Sequence, residues 1–188
     1  MRRSLALLGL LTGTALADEG MWTFDHFPRE LVAQRYGVKI DAAWLERTRL
    51  ATVRLAGCTA SFVSPEGLLL TNHHCVESCL AQNSTREQSR IETGFVASRR
   101  ADELRCPVQI AEVLQATEDV TERIVAATRG LDDRAANERR RETLTALEQS
   151  CEETSAKSGN QLKCQISILY EGGQYWLYQY RRYADVRL

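Results

Sequence analysis

The residues able to do chemistry are concentrated in one short stretch. Gly57-Cys58-Thr59-Ala60-Ser61-Phe62-Val63 leads through Ser64-Pro65-Glu66-Gly67 to Leu68-Leu69-Leu70-Thr71, and then to Asn72-His73-His74-Cys75. Two apolar runs joined by a turn read as a hairpin, and Pro at the second turn position with Gly at the fourth suits type I. A cysteine stands at each end, and a histidine immediately precedes the second. A nucleophilic hydroxyl needs an imidazole to take its proton, and that imidazole must be held still. On a free loop after a strand it would wander. A disulfide from the adjacent residue back to the start of the hairpin would pin it. Closing a loop of this length contributes about 3 kcal/mol in the chain-entropy model. Imidazole titrates at about pH 6.5, so it can take and return a proton near neutrality.

Other residues invite chemical readings that the sequence argues against. A zinc site from His73, His74, Cys75 and Cys79 would need ligands spread around a tetrahedron, and adjacent His-His-Cys is poor spacing for that. His26, between Asp25 and Phe27, reads as a packing histidine bonded to a nearby acid. Asn83-Ser84-Thr85 fits a glycosylation sequon, which matters only in a host that glycosylates. Arg139-Arg140-Arg141, flanked by Glu138 and Glu142, reads as a solvated helix face with i,i+4 pairing. Tyr175, Trp176, Tyr178 and Tyr180 are at strand spacing and read as core and face residues of a sheet.

The compartment follows from the first residues. Arg2 and Arg3, the apolar run Leu5 to Leu11 and the small-x-small site Ala15-Leu16-Ala17 form a secretory signal peptide over residues 1–17, cleaved after Ala17. That apolar run is too short to span a bilayer, which needs roughly 20 residues. Export takes the six cysteines (Cys58, Cys75, Cys79, Cys106, Cys151 and Cys164) into an oxidising compartment. An even count there implies disulfides, and six cysteines allow about 15 pairings. The net charge of -1 gives no global basic field for nucleic acid or an anionic membrane. At 188 residues, 44% hydrophobic and 26% charged, the chain has an ordinary globular composition.

The surrounding elements must position the hairpin. Residues 18–48 form a mostly helical lead-in. Pro28 opens one helix, Gly37 ends it, and Asp41 caps a second from Ala42 to about Thr48. Strands are expected over Leu50–Ala56, Thr59–Val63 and Leu68–Thr71, the last apolar on both faces as in a strand buried inside a barrel. Residues 83–104 read as a polar insertion, with helix formers around Arg86–Glu92 and Ala97–Leu104. Pro107 to Leu114 returns to strand-like alternation. Helices follow from about Asp119 to Thr128 and from Asp132 to about Ser155, with Leu144, Leu147 and Cys151 on one face. Cys164–Tyr170 and Tyr175–Tyr180 are strands, and Asp185–Leu188 begins another. The sequence stops inside that apolar run, which reads as a truncated domain, because such an end leaves backbone unpaired.

Cys-x-small-Ser-Phe-Val, a Gly turn and Leu-Thr-x-x-His-Cys resemble the catalytic-histidine hairpin of chymotrypsin-fold serine peptidases. The doubled Thr71-Asn72-His73-His74-Cys75 is similar to the bacterial dipeptidyl-peptidase 7 and 11 family, also called dipeptidyl aminopeptidase BII-like. Asp18-Glu19-Gly20-Met21-Trp22, Gly94-Phe95 and Gly172-Gly173-Gln174-Tyr175-Trp176, leading into Asp185-Val186-Arg187-Leu188, extend the resemblance over 18–188. It implies a mainly β fold with helical insertions, the incomplete first barrel of a chymotrypsin-like double β-barrel. The barrel would span 49–188, with the insertion at about 83–156.

His74 corresponds to the catalytic base and His73 to a structural neighbour. The catalytic Ser and Asp, and the residues gripping the substrate's free amino group, would lie beyond Leu188. Asp185, an acid before an apolar run, is tempting as the triad acid, but the resemblance places that acid later in the chain, so Asp185 reads as a strand-start acid bonding neighbouring backbone or pairing an arginine. For the cysteines, Cys58–Cys75 is favoured, with Cys79–Cys106 and Cys151–Cys164 as local pairs. The implied activity is release of dipeptides from the free N-terminus of peptides by acyl transfer, with no metal or organic cofactor. The implied location is periplasmic or extracellular. The fragment alone would be inactive, and a homodimer is an option for the full-length protein. The rival reading is a non-catalytic, disulfide-bonded binding module built on a peptidase half-barrel.

Overall fold

Strand-forming runs rich in Val, Leu, Ile, Thr and Tyr assemble in the computed structural model into one antiparallel sheet of six strands. The structure describes residues 20–188; the signal peptide read at 1–17, with Asp18 and Glu19, lies outside the described residues. The strands are β1 (Thr52–Leu55), β2 (Cys58–Phe62), β3 (Leu69–Leu70), β4 (Ala111–Asp119), β5 (Lys163–Leu169) and β6 (Gln174–Tyr183), in the spatial order β3-β2-β1-β4-β6-β5. The sheet is open, with β3 at one edge and β5 at the other.

Helices flank and interrupt it. A one-turn 3-10 helix (Phe24–His26), α1 (Arg29–Tyr36) and α2 (Ala42–Ala51) precede β1. Gly37 ends α1 in the left-handed region at φ 67°, its N–H reaching the Ala33 carbonyl. The Asp41 side chain accepts the Trp44 N–H and starts α2. α2 runs on through Ala51, so the first strand is shorter than its apolar run suggested. The Arg49 guanidinium then donates to the Leu114 and Gln115 carbonyls, where β4 bulges between Leu114 and Ala116. Within residues 83–104 only α4 (Arg90–Thr93) and a 3-10 turn (Arg100–Asp102) are helical, and α3 (Glu77–Gln82) precedes them. α5 (Thr121–Thr128) begins two residues after the expected Asp119. Asp119 instead ends β4, and its carboxylate accepts the Thr121 N–H. α6 (Asp133–Lys157) is the long helix.

Two cores lie along the sheet. Val53, Leu55, Ala60, Cys75, Ala111 and Val113 form one, with Phe62, Leu69 and Val186 against it. Val120, Ile124, Cys164, Tyr175 and Leu177 form the other, and Leu144, Leu147 and Cys151 of α6 close it. The expectation that β3 is buried on both faces is corrected here. Leu69 packs on the core, but Leu68 is 64% and Leu70 66% exposed. As an edge strand, β3 turns alternate side chains to opposite faces, and only one face has a partner. The end of the chain pairs through an isolated bridge, Arg105 with Arg187, rather than as a full strand.

Three disulfides staple these elements: Cys58–Cys75, Cys79–Cys106 and Cys151–Cys164. No cysteine is free, as in chains folded under oxidising conditions. The outer N–H groups of β5 are covered by α6. Glu148 accepts from Ile166 at 2.7 Å and Glu152 from Cys164 at 3.3 Å. The Lys163 ammonium, with the Cys164 N–H, holds the Glu152 carboxyl below its ordinary range.

The β5–β6 connection stores strain. Tyr170 (φ 50°) and Glu171 (φ 55°) both sit in the left-handed region, ahead of Gly172 at φ 97°. An L-residue there costs roughly 1–2 kcal/mol. Glu171 is exposed, so Glu171→Gly removes strain without removing packing. A gain of about 0.5–1 kcal/mol is expected, read as a melting temperature raised by a few degrees. A lower melting temperature would mean that the turn carries no such strain.

Candidate active site

The β2–β3 hairpin carries the site. Ser61 pairs with Leu70 and Phe62 with Leu69, and the Val63 N–H reaches the Leu68 carbonyl at 2.9 Å. Within the turn, the Ser64 hydroxyl accepts from the N–H of Glu66 and of Leu68. After Leu70 the chain leaves the sheet. Asn72 is extended, and His73–Cys75 then forms one 3-10 turn closed by Cys75 N–H to Asn72 C=O (3.1 Å) and Val76 N–H to His73 C=O (3.0 Å).

That turn splits the roles of its three residues. Cys75 points into the first core and is buried there, bonded to Cys58 with Cα atoms 5.9 Å apart. His74 points outward and is exposed. A ring nitrogen of His74 and the two cystine sulfurs all lie within 4.8 Å of one another. His74 makes no hydrogen bond or ion pair among the described residues, so both ring nitrogens are open to partners. His73 is also exposed, but its Nδ1 lies 3.4 Å from Glu77 Oε1. One imidazole is therefore engaged locally and the other is available, and an available imidazole can hand on a proton.

The remaining candidates take structural places. The sulfurs beside His74 are bonded to each other, and Cys79 is bonded to Cys106, so neither set offers thiolates to zinc. Asp185 pairs with Arg187 at 2.8 and 3.0 Å and with Arg105 at 3.7 Å, and Arg187 holds its carboxyl below the usual range. It makes no bond to His74. His26 bonds Asp25 through Nδ1 and sets its ring edge against Trp176, centroids 5.1 Å apart. The Asn83 amide is committed to the Cys79 and Arg105 carbonyls at 2.9 and 3.1 Å. Arg139 pairs with Glu142 on the exposed face of α6.

Sequence reasoning passed over two groups. The Thr71 hydroxyl donates to the Thr59 carbonyl at 2.9 Å, beside the cystine. On the opposite sheet face from the cores, Glu112 is gripped by Arg54 (2.6 Å) and Arg182 (3.1 Å), with Arg54 lying 3.9 Å over the Tyr180 ring. A hydroxyl residue at the end of a strand is a readable signal for the first. The second joins residues brought together only by strand order.

The candidate site is thus a histidine that one hairpin of an open antiparallel sheet delivers to the surface beside a cystine. The Peptidase S46 family model matches residues 17–188, and the chain belongs to that family. It is 31% identical, over its whole length, to "Dipeptidyl-peptidase 7" of Porphyromonas endodontalis, and covers 24% of that protein. It is also 31% identical to an "Asp/Glu-specific dipeptidyl-peptidase" of Shewanella putrefaciens, with 98% of this chain covering 25% of that one. The crystal structure of Porphyromonas endodontalis DPP11 in complex with the dipeptide Arg-Glu aligns with a TM-score of 0.74 at 24% identity, over 91% of this chain and 26% of that one. The chain thus spans about a quarter of the length of these relatives. No helix among the described residues is long and apolar enough to cross a membrane.

Proposed function

We propose that this chain is the N-terminal part of an exported serine-type dipeptidyl aminopeptidase, working in the periplasm or outside the cell on peptides with a free N-terminus. The observation that carries the reading is the His74 imidazole, exposed beside the Cys58–Cys75 bridge and without a partner among the described residues. In the proposed mechanism His74 takes the proton of a serine hydroxyl as the hydroxyl attacks the scissile carbonyl. It returns that proton to the leaving amine, and the cycle repeats with water on the acyl-enzyme. The serine, the acid that orients His74 and the oxyanion donors come from polypeptide outside these 188 residues. The names of the relatives support dipeptide release, and their length supports a larger catalytic unit. The family resemblance extends the reading to a homodimer, which the mass of the complete protein in solution tests.

The test compares the complete polypeptide with the 188-residue chain on a peptide carrying either a free or an acetylated N-terminus. The complete protein should release dipeptides from the free peptide only. The 188-residue chain should release none, because it lacks the nucleophile and the oxyanion hole. Turnover by the short chain, or equal cleavage of the acetylated peptide, would refute the proposal.

A further inference from the structure

The β2–β3 ladder runs with residue numbers in a fixed relation, Phe62 opposite Leu69 and Ser61 opposite Leu70. Continued two steps, that register would set Asn72 opposite Thr59, and the Asn72 N–H would take the Thr59 carbonyl. The chain does something else. The Thr71 hydroxyl donates to the Thr59 carbonyl at 2.9 Å, and the backbone is already out of the sheet after Leu70. The side chain thus replaces the next ladder bond. It satisfies the carbonyl of β2 while freeing Asn72 to open the 3-10 turn His73–Cys75.

Two ties now bracket His74. Thr71 is fastened to Thr59, and Cys75 to Cys58, so both anchors land on consecutive residues of β2. Between them run only Asn72, His73 and His74. A disulfide alone fixes one end of this segment and leaves the other to swing on Leu70. The hydroxyl removes that freedom.

We infer that Thr71 is a positioning residue for His74, its hydroxyl ending β3 and setting the direction in which the imidazole is presented. The inference rests on the proposed role of His74 as the base. Small misplacements of a base are costly, on the order of 100-fold for about 1 Å.

The experiment uses the complete polypeptide with Thr71→Val, which keeps the shape and removes the donor, and Thr71→Ser, which keeps the donor. Valine should lower kcat about 10- to 100-fold with KM within about twofold, and serine should restore kcat to within about threefold of the parent. A valine variant with unchanged kcat overturns the inference. So does a serine variant as impaired as valine, since the hydroxyl would then not be the agent. If the valine variant does not fold, Thr71→Ala takes its place under the same thresholds. A parallel His74→Ala variant separates the two ideas. Full activity in that variant sinks the base assignment itself, whereas its inactivity beside an unaffected Thr71→Val sinks only the positioning role.

Discussion

In the complete polypeptide, His74→Ala should lower kcat by at least about 10⁴-fold, while His73→Ala stays within about tenfold. The two residues are adjacent and chemically identical, so composition cannot separate them. The 3-10 turn does, because it aims successive side chains in different directions. Cys75 goes inward to the cystine, His74 stands over the two sulfurs, and His73 reaches toward Glu77. Catalysis of the proposed kind asks one imidazole for two bonds at once, one nitrogen to the hydroxyl and the other to an orienting acid. Among the described residues, His74 has both nitrogens uncommitted. His73 lies outside the cluster that His74 forms with the cystine sulfurs, and its exposed pair with Glu77, Nδ1 3.4 Å from Oε1, is worth about 1 kcal/mol at most. Steady-state rates on a fluorogenic dipeptide substrate decide the matter. Loss of activity in His73→Ala with His74→Ala nearly intact would move the base one residue back and remove the cystine from the mechanism.

The hairpin could be read from the sequence because its signals are local. A Pro-x-Gly turn, two apolar runs and terminal cysteines lie within 19 consecutive residues, and the turn chemistry decides the pairing. The Asp41 cap, the Gly37 stop and the apolar face of α6 are local in the same sense. Element ends were less legible where a tertiary partner decided them. The run from Leu50 looks like strand, but Arg49 is drawn to the carbonyls of the β4 bulge, and α2 continues to Ala51. The run Leu68-Leu69-Leu70 suggested burial, and only the place of β3 at the sheet edge shows that one face is bare. The acids capping β5 were invisible for a related reason. Glu148 and Glu152 sit at i,i+4 like any solvated pair, and only the packing of α6 along β5 brings them to the Ile166 and Cys164 N–H groups. Thr71 lies between these cases. Its position at the end of a strand is plain, but its acceptor depends on where the ladder breaks.

The disulfides offer a way to part stability from positioning. Cys58–Cys75 closes a separation of 17 residues and Cys151–Cys164 one of 13. In the chain-entropy model each contributes about 3 kcal/mol, and the two differ by only about 0.2 kcal/mol. Replacing either pair by alanines should therefore lower the melting temperature of the 188-residue chain by a similar amount, about 6–12 °C. Their consequences for turnover in the complete polypeptide should not be similar. Cys151–Cys164 ties α6 to β5 in the second core, away from the hairpin. Cys58–Cys75 holds the residue next to His74. Assayed well below both melting temperatures, the Cys58→Ala/Cys75→Ala variant should lose about 100-fold in kcat, and the Cys151→Ala/Cys164→Ala variant less than about threefold. Equal losses would mean that kcat follows overall stability. No loss in either would mean that Thr71 and the core packing of the hairpin hold the imidazole without the cystine. Only the unequal result ties the bridge to the histidine, because the thermodynamic cost has been matched and position is the one thing left to differ.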